Sequence, residues 1–425
     1  MDKRIEISKN DRSFRRIDES EPEWFYRLRR KGWDYYSKIG SPNRISNLWR
    51  YTNPAIFENG ELERLEIELP KVRNGNNGNR PAENSKSSFE DFNLTPELKE
   101  KGVIFKDLFS AVRLNPGLTE KFLGKLVGFD FGRFEALNLA LWNKGWFLKI
   151  PDNTTVDEPI YLNNIITEKS DFRRLLVLVG DNSRVDIIDD YSSSGDTQNT
   201  SYNCVTELFV GNGSNVKYIN LQRPHSGYKG LLTYRAAIGR DSNLHSIFGG
   251  FGGTAVKVNV GVRLTGKGSE SRIDGIVFAE NKQHFDYHTR HHHTSSDTYS
   301  NLNFKVVLKD KSNSAYTGLI RIEEDALNCE AYQENRNLLL NKGAKAESIP
   351  ELEILTDEVR CSHGATMGPI DPEMIFYLKS RGLNSIEATK AVVEGFVNSI
   401  MDRIPVKIAD IFKNLVSEKL GGQTG

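Results

Sequence analysis

The chain has 425 residues, and its 57 lysines and arginines balance its 57 aspartates and glutamates, so its net charge is zero. This length predicts two or three structural units, and a neutral charge argues against nucleic-acid binding, which needs a basic surface. The sequence contains no run of about 18 apolar residues, the length that a membrane-spanning helix needs. The three cysteines, Cys204, Cys329 and Cys361, form no CxxC pair. We therefore expect a cytoplasmic protein that binds neither nucleic acid nor membrane.

Residues 1–145 show mostly helical periodicity. Trp24, Phe25, Leu28 and Trp33 recur at helical spacing between charged residues. Within this region the stretch 74–88 is rich in Asn, Gly and Ser and has almost no apolar residues. The pattern predicts an N-terminal helical region with a flexible loop at 71–90.

Residues 146–366 change to short runs rich in Val, Ile, Tyr, Phe and Thr, which are typical of strands. A corner written Gly-x-x-Ser recurs at intervals of roughly 30 residues, and such a repeat among strands indicates stacked coils. The glycine is expected to supply a positive φ angle. A parallel β-helix fits this pattern best, and a β-sandwich is the alternative. The corners are Gly180–Ser183, Gly211–Ser214, Gly239–Ser242 and Gly266–Ser269, with looser copies at Lys309–Ser312 and Asn341–Ala344.

Residues 367–425 return to a helical pattern. Asp371, Pro372 and Glu373 predict a helix start, and Gly382 predicts its end. The segment Asn384–Glu387 resembles a capping box for a second helix. We expect this small helical domain to dock on the end of the β-helix or to hold a partner.

Cys361 and His363 lie two residues apart on a predicted strand, so their side chains should project to the same face. Thiol and imidazole groups suit metals such as iron and zinc. Two ligands cannot close a tetrahedral site. The pair is therefore either half of a site shared with another subunit or no site, with Cys361 serving as a small core residue.

Two other motifs were considered as binding sites. Five histidines fall within Gln283–His293, and such a tract either binds metal or forms an exposed loop with incidental affinity. The segment Gly261–Gly268 nearly matches a phosphate-binding loop, but Gly268 stands where a serine or threonine is required. We expect a β corner there. No motif in the chain forms a self-sufficient active site.

Four segments together resemble the SufB/SufD family of the SUF iron–sulfur cluster assembly machinery. Within that family, Ser362 and Gly364 around His363 resemble the SufD-type branch, because SufB-type chains place an acid after this histidine. The match is dense over about residues 230–402 and thin before them. The segments are Asp274–His284, Ala331–Leu340, Pro350–Ile354 with Val359–Thr366, and Phe376–Gly382.

This resemblance implies a right-handed parallel β-helix (β-solenoid) core between N- and C-terminal helical regions. It also implies a non-catalytic scaffold or accessory subunit that pairs through its terminal strands with a SufB-type subunit, or with a second copy of itself. His363 is the favoured ligand and Cys361 a further candidate for a transient iron–sulfur cluster shared with that partner. The C-terminal helices would hold a SufC-type ABC ATPase, which hydrolyses ATP. A flavin would join only through the complex.

A different class of protein also uses β-helices. A secreted-type carbohydrate-active enzyme, similar to a polysaccharide lyase, would need a basic or acidic cluster such as Arg263, Arg272 and Asp274 in a surface groove. The absence of a secretion signal counts against it. A third alternative is a purely structural partner in which the histidine tract and Cys361 have no chemical role.

Overall fold

A computed structural model describes residues 5–7, 14, 16, 17, 19–45, 47–58, 65–67, 94–167, 171–194 and 200–421. The predicted flexible loop at 71–90 lies outside these residues. The chain is mainly β and forms a parallel solenoid of about eight turns, with helices before and after it. The predicted fold class is confirmed.

Successive strands of the solenoid alternate between two sheets. Every strand pair in these sheets is parallel except β3 with β4. A separate antiparallel pair joins β1 (Ile5–Ile7) to β2 (Leu65–Ile67). In spatial order, the nine-stranded sheet contains β18 (Lys345–Ile354), β16 (Asn313–Ile322), β14 (His284–His293), β12 (Ala255–Leu264), β10 (Tyr228–Ile238), β8 (Thr200–Val210), β6 (Asp171–Val179), β4 (Lys144–Ile150) and β3 (Ile104–Asp107). The eight-stranded sheet contains β19 (Val359–Pro369), β17 (Cys329–Leu339), β15 (Tyr299–Leu308), β13 (Glu270–Ala279), β11 (Asn243–Gly250), β9 (Asn215–Gln222), β7 (Arg184–Ser193) and β5 (Ile160–Ile166).

The core of the solenoid lies between the two sheets. Alternate residues of each strand point inward, as Val256, Val258 and Val260 do on β12, and all three are fully buried. Many outward residues are buried as well, because helices cover much of both sheets. Burial on both faces explains apolar runs such as Leu175–Val179 on β6, whereas β12 alternates its inward valines with outward polar residues such as Lys257 and Asn259.

The repeated corners are held by a ladder of serine hydroxyls. The backbone N–H of Ser183 donates to Oγ of Ser214 at 3.0 Å, and the N–H of Ser214 donates to Oγ of Ser242 at 3.2 Å. The expected reason for the leading glycine was wrong. Positive φ falls on the third residue, as in Asn182 at 51°. The glycine is needed for close stacking, since a Cβ at Gly266 would lie 2.0 Å from the backbone nitrogen of Arg240.

Helices cover part of the outer face of each sheet. The N-terminal helices pack against the nine-stranded sheet, and α7 and α8 pack against the eight-stranded sheet. None of the described helices is long and apolar enough to cross a membrane. The helices are α1 (Glu23–Lys38), α2 (Pro96–Glu100), α3 (Leu108–Leu114), α4 (Pro116–Phe122), α5 (Arg133–Leu141), α6 (Pro372–Ser380), α7 (Ser385–Met401) and α8 (Val406–Lys419), with 3-10 turns at Asn47–Trp49 and Pro54–Ile56.

The C-terminal helices begin where the sequence predicts. The Asp371 side chain accepts a hydrogen bond from the backbone of Glu373, and Asn384 and Glu387 form the expected capping box. Helices α7 and α8 dock on the flank of the solenoid rather than on its end. Outward apolar residues of the eight-stranded sheet, such as Ile247 and Ile276, supply the apolar surface that α7 and α8 bury.

A buried ion pair ties the N-terminal region to the solenoid. The side chains of Arg174 on β6 and Glu207 on β8 are both 0% exposed and lie 3.1 Å apart. Glu207 also accepts hydrogen bonds from the backbone N–H groups of Gly124, Leu126 and Val127. The carboxylate therefore anchors the loop between α4 and α5 against the sheet.

Candidate functional site

The last turn of the solenoid is its open end. Strand β18 pairs only with β16 and strand β19 only with β17, so neither has a further neighbour among the described residues. Most of β19 is exposed. Such edges present unpaired backbone N–H and C=O groups, which can pair with strands of another chain.

Register shows how Cys361 and His363 are oriented on β19. Cys361 lies opposite Ala331, and His363 lies opposite Gln333. Both residues on β17 are buried and face the interior of the solenoid. Cys361 and His363 therefore share the face of β19 that continues the interior, at the point where the interior opens.

The two side chains differ in exposure. The Cys361 thiol is free, half-buried and packed against the core, whereas His363 is exposed. Burial raises the pKa of Cys361, and the nearby Cys329 raises it further. The thiol is therefore protonated at neutral pH in the isolated chain, and it becomes a metal ligand only by losing that proton.

The interior beside this pair is polar, which the sequence reasoning missed. One turn deeper, the positions opposite Gln333, Asn335 and Asn337 are apolar, namely Leu302, Phe304 and Val306. The Gln333 side chain donates to the carbonyl of Gly318 at 3.2 Å, and its own carbonyl oxygen is buried without a partner. Oδ1 of Asn337 and Oγ of Ser348 are also buried without partners. Polar residues alternate at positions 333, 335 and 337 of the sequence, and this pattern could have predicted the polar interior.

The described part of this chain does not complete a metal site. It contains no group of three or more His, Cys, Asp or Glu side chains placed to hold a metal ion. Cys361 and His363 therefore need ligands from elsewhere if they hold iron.

The histidine tract is not an exposed loop, so that interpretation was wrong. It is strand β14, and its side chains alternate between the core and the outer face. His291 and His293 are fully buried and hydrogen-bonded to hydroxyls, with His291 lying 2.8 Å from Ser271 and His293 lying 2.8 Å from Ser300. Burial lowers the pKa of His293 to about 4, so it is neutral at physiological pH.

The near match to a phosphate-binding loop is a β corner, as predicted. Gly261 lies on β12, which ends at Leu264, and a turn at Lys267 and Gly268 leads into β13. No helix follows it, so the segment lacks the helix N-terminus that binds phosphate in such loops.

A family model described as SUF system FeS cluster assembly, SufBD core domain, matches residues 162–396, which is more than half of the chain. The chain belongs to the SufB/SufD family. The SufBD match begins on β5 and ends within α7, so it includes the open end, Cys361, His363 and α6.

Individual SufB/SufD proteins extend this similarity beyond the core. An iron–sulfur cluster assembly protein SufD from Bacillus subtilis is 29% identical over 413 residues, covering 93% of each chain. An iron–sulfur cluster assembly SufBD family protein from Staphylococcus haemolyticus is 27% identical over 335 residues, covering 78% of this chain and 72% of its own. The Bacillus alignment therefore includes most of the N-terminal region that the SufBD core leaves out.

Proposed function

We propose that this chain is a scaffold subunit of a SUF complex and holds half of a nascent iron–sulfur cluster site at its open end. The single observation that carries the proposal is the position of Cys361 and His363. They face the open interior of the last turn, on an edge strand that lacks a neighbour. A SufB-type subunit, or a second copy of this chain, pairs with β18 and β19 and supplies the missing ligands, including a cysteine.

Closure of this interface protects the cluster ligands. Soft ligands buried between two subunits are shielded from oxidation and from incidental metals. In the proposed cycle, ATP hydrolysis by a SufC-type partner opens the interface, and iron and sulfide then reach the ligands. The chain itself acts as an assembly scaffold, in the cytoplasm, and the cluster is its transient cargo.

Co-expression of the chain with SufB-type and SufC-type proteins tests this proposal. His363→Ala should lower the iron and acid-labile sulfide bound to the purified complex severalfold, while size-exclusion chromatography still shows the intact complex. His225→Ala is the matched control, because His225 is also exposed but lies at a corner remote from β19. Normal iron and sulfide contents in the His363→Ala complex would contradict the proposed site.

We also propose that helix α6 is part of the docking surface for the ATPase. No residue of α6 is buried, and Phe376 and Tyr377 are 74% and 56% exposed. Apolar side chains exposed next to one another often mark a protein–protein contact. This surface lies in the C-terminal helical region, immediately after the strand that carries His363. Movement of α6 with the ATPase would therefore act directly on β19.

Phe376→Ser tests the docking surface. Because the side chain is already exposed, we expect an unchanged melting temperature but weaker binding of the SufC-type ATPase, measured by pull-down and calorimetry. Ile45→Ser is the control, since Ile45 is 91% exposed in the N-terminal region. Equal ATPase binding by the Phe376→Ser and Ile45→Ser variants would reject α6 as the contact.

A further inference from the structure

The outer face of the nine-stranded sheet carries a cluster of arginines. On β10, β12 and β14, Arg235 lies opposite Gly261, which lies opposite Arg290. In the next outward row Arg263 lies opposite His292, which lies opposite Arg321. Because neighbouring strands are about 4.8 Å apart, these rows bring several guanidinium groups close together.

Only part of this cluster is neutralised by carboxylates. Arg321 pairs with Glu323 at 2.7 Å and with Glu353 at 3.2 Å. By contrast, Arg235, Arg263 and Arg290 have no ion-pair partner within the described ranges. We call these three residues the arginine triad.

Within the arginine triad, Arg235 is held by several contacts, whereas Arg290 has an unsatisfied donor. The Arg235 guanidinium donates to the carbonyl of Tyr234 and to the carbonyl and side-chain oxygens of Asn259. It also stacks on the Phe131 ring at 4.6 Å. Nε of Arg290 is buried with no hydrogen-bond partner. The hydroxyl of Thr317, which lies on the neighbouring strand one outward position away, is buried without a partner as well.

These positive charges are unfavourable for one another. Burial lowers the pKa of Arg235 to about 10; among the neighbouring charges, Glu135 raises this pKa and Arg290 lowers it. Burial also lowers the pKa of Arg290, with Arg321 as the next cause. Gly261 leaves room for this packing, since a Cβ there would lie 2.9 Å from the Arg235 side chain. The fold therefore makes space for adjacent guanidinium groups. Glu135, Glu323 and Glu353 offset their repulsion in part, but none of these carboxylates forms an ion pair with the arginine triad in the described structure.

We propose that the arginine triad binds a phosphate-type oxyanion. Guanidinium groups offer paired N–H donors whose spacing matches the oxygens of phosphate, and an anion would satisfy Nε of Arg290 and relieve the repulsion. Such an anion is either free phosphate or the phosphate group of an ester.

An adjacent cleft would accommodate the organic part of an ester. The cleft has a volume of about 670 Å³, and its walls include Leu118, Phe122, Phe209 and Ala237. Ala237 lies directly opposite Arg263 in the sheet register, so the cleft lies beside the arginine triad, although none of the three arginines lines it. This site lies on the outer face of the sheet, and its function does not depend on the cluster site proposed at the open end.

Calorimetric titration of the full chain with orthophosphate and with adenosine monophosphate tests this inference. Both titrations use phosphate-free buffer with chloride held at constant ionic strength, because salt screens charge interactions. We expect both ligands to bind, with Arg290→Met and Arg263→Met each weakening binding about tenfold or more. Arg272→Met is the matched control, because Arg272 is exposed on the opposite sheet. This variant should bind both ligands as tightly as the wild-type chain does.

The comparison of the two ligands identifies the source of the phosphate. Tighter binding of the monophosphate ester indicates that the cleft is used, and equal binding indicates a site for free phosphate. Absence of binding by both ligands, or wild-type binding by both triad variants, would overturn the proposal. Arg290→Met should also keep its melting temperature in phosphate-free buffer. A clear decrease would show that the guanidinium serves the fold, and it would overturn the proposal too.

Discussion

Replacement of Gln333 by leucine tests whether the polar interior at the open end serves the complex rather than the fold. The substitution removes the buried side-chain carbonyl oxygen that has no partner, and it removes the donor to the carbonyl of Gly318. Leucine suits this column, because Leu302 occupies the equivalent inward position one turn deeper.

The expected change in the free energy of unfolding follows from these two effects of the substitution. Relief of an unsatisfied buried polar atom gains about 1–3 kcal/mol, and loss of one neutral hydrogen bond costs about 1 kcal/mol. The isolated chain should therefore become more stable by about 1 kcal/mol. For a chain of this length that corresponds to a rise of roughly 1 °C in melting temperature.

Urea unfolding of the isolated chain and iron analysis of the co-expressed complex together provide the assay. We expect Gln333→Leu to raise the free energy of unfolding of the isolated chain. The same substitution should lower the iron bound to the complex, because polar groups of the partner subunit would then face leucine instead of the Gln333 amide. The inverse substitution Leu302→Gln is the control, and it should destabilise the isolated chain by burying a polar group. A destabilised Gln333→Leu chain, or one with normal iron content, would refute this reasoning.

Two further predictions concern buried charges away from the open end. Glu207→Gln should lower the free energy of unfolding by about 3–5 kcal/mol in urea titrations, because it leaves the buried Arg174 charge unpaired. Glu97→Gln removes one partner of the exposed pair Lys101–Glu97 and should change the free energy of unfolding far less. Similar effects of the two substitutions would contradict this prediction. Burial raises the pKa of Asp189 to about 6, above its ordinary value of 3.8, so protonation favours the folded state. The free energy of unfolding should therefore fall by roughly 2 kcal/mol, relative to Asp189→Asn, as the pH rises from about 4 to 7. A difference that does not change with pH would exclude this effect.

The repeat architecture could be predicted because its signals are local. Each corner carries its own glycine and serine, and each strand carries β-branched residues, so a pattern repeated at regular intervals indicates stacked coils. The exact role of the corner glycine could not be predicted. It depends on the distance between coils, which places the backbone of Arg240 against Gly266.

The parts of the site that could not be predicted depend on contacts across the solenoid. The parity of Cys361 and His363 follows from strand geometry, so their common face was predictable. The polarity around them depends on which residue of β17 lies opposite each of them, and register between turns is not encoded in either strand alone. For the same reason, the burial of the histidine tract could not be predicted, because the hydroxyls that hydrogen-bond His291 and His293 come from β13 and β15.

In the proposed complex, His363 is a ligand of the cluster assembled at the open end. Pulsed electron paramagnetic resonance of the reduced complex, with only this chain carrying nitrogen-15 histidine, measures that bond directly. We expect a nitrogen-15 coupling to the cluster that disappears in His363→Ala and persists in His225→Ala. A cluster with no histidine coupling from this chain, or a coupling that survives in His363→Ala, would contradict it.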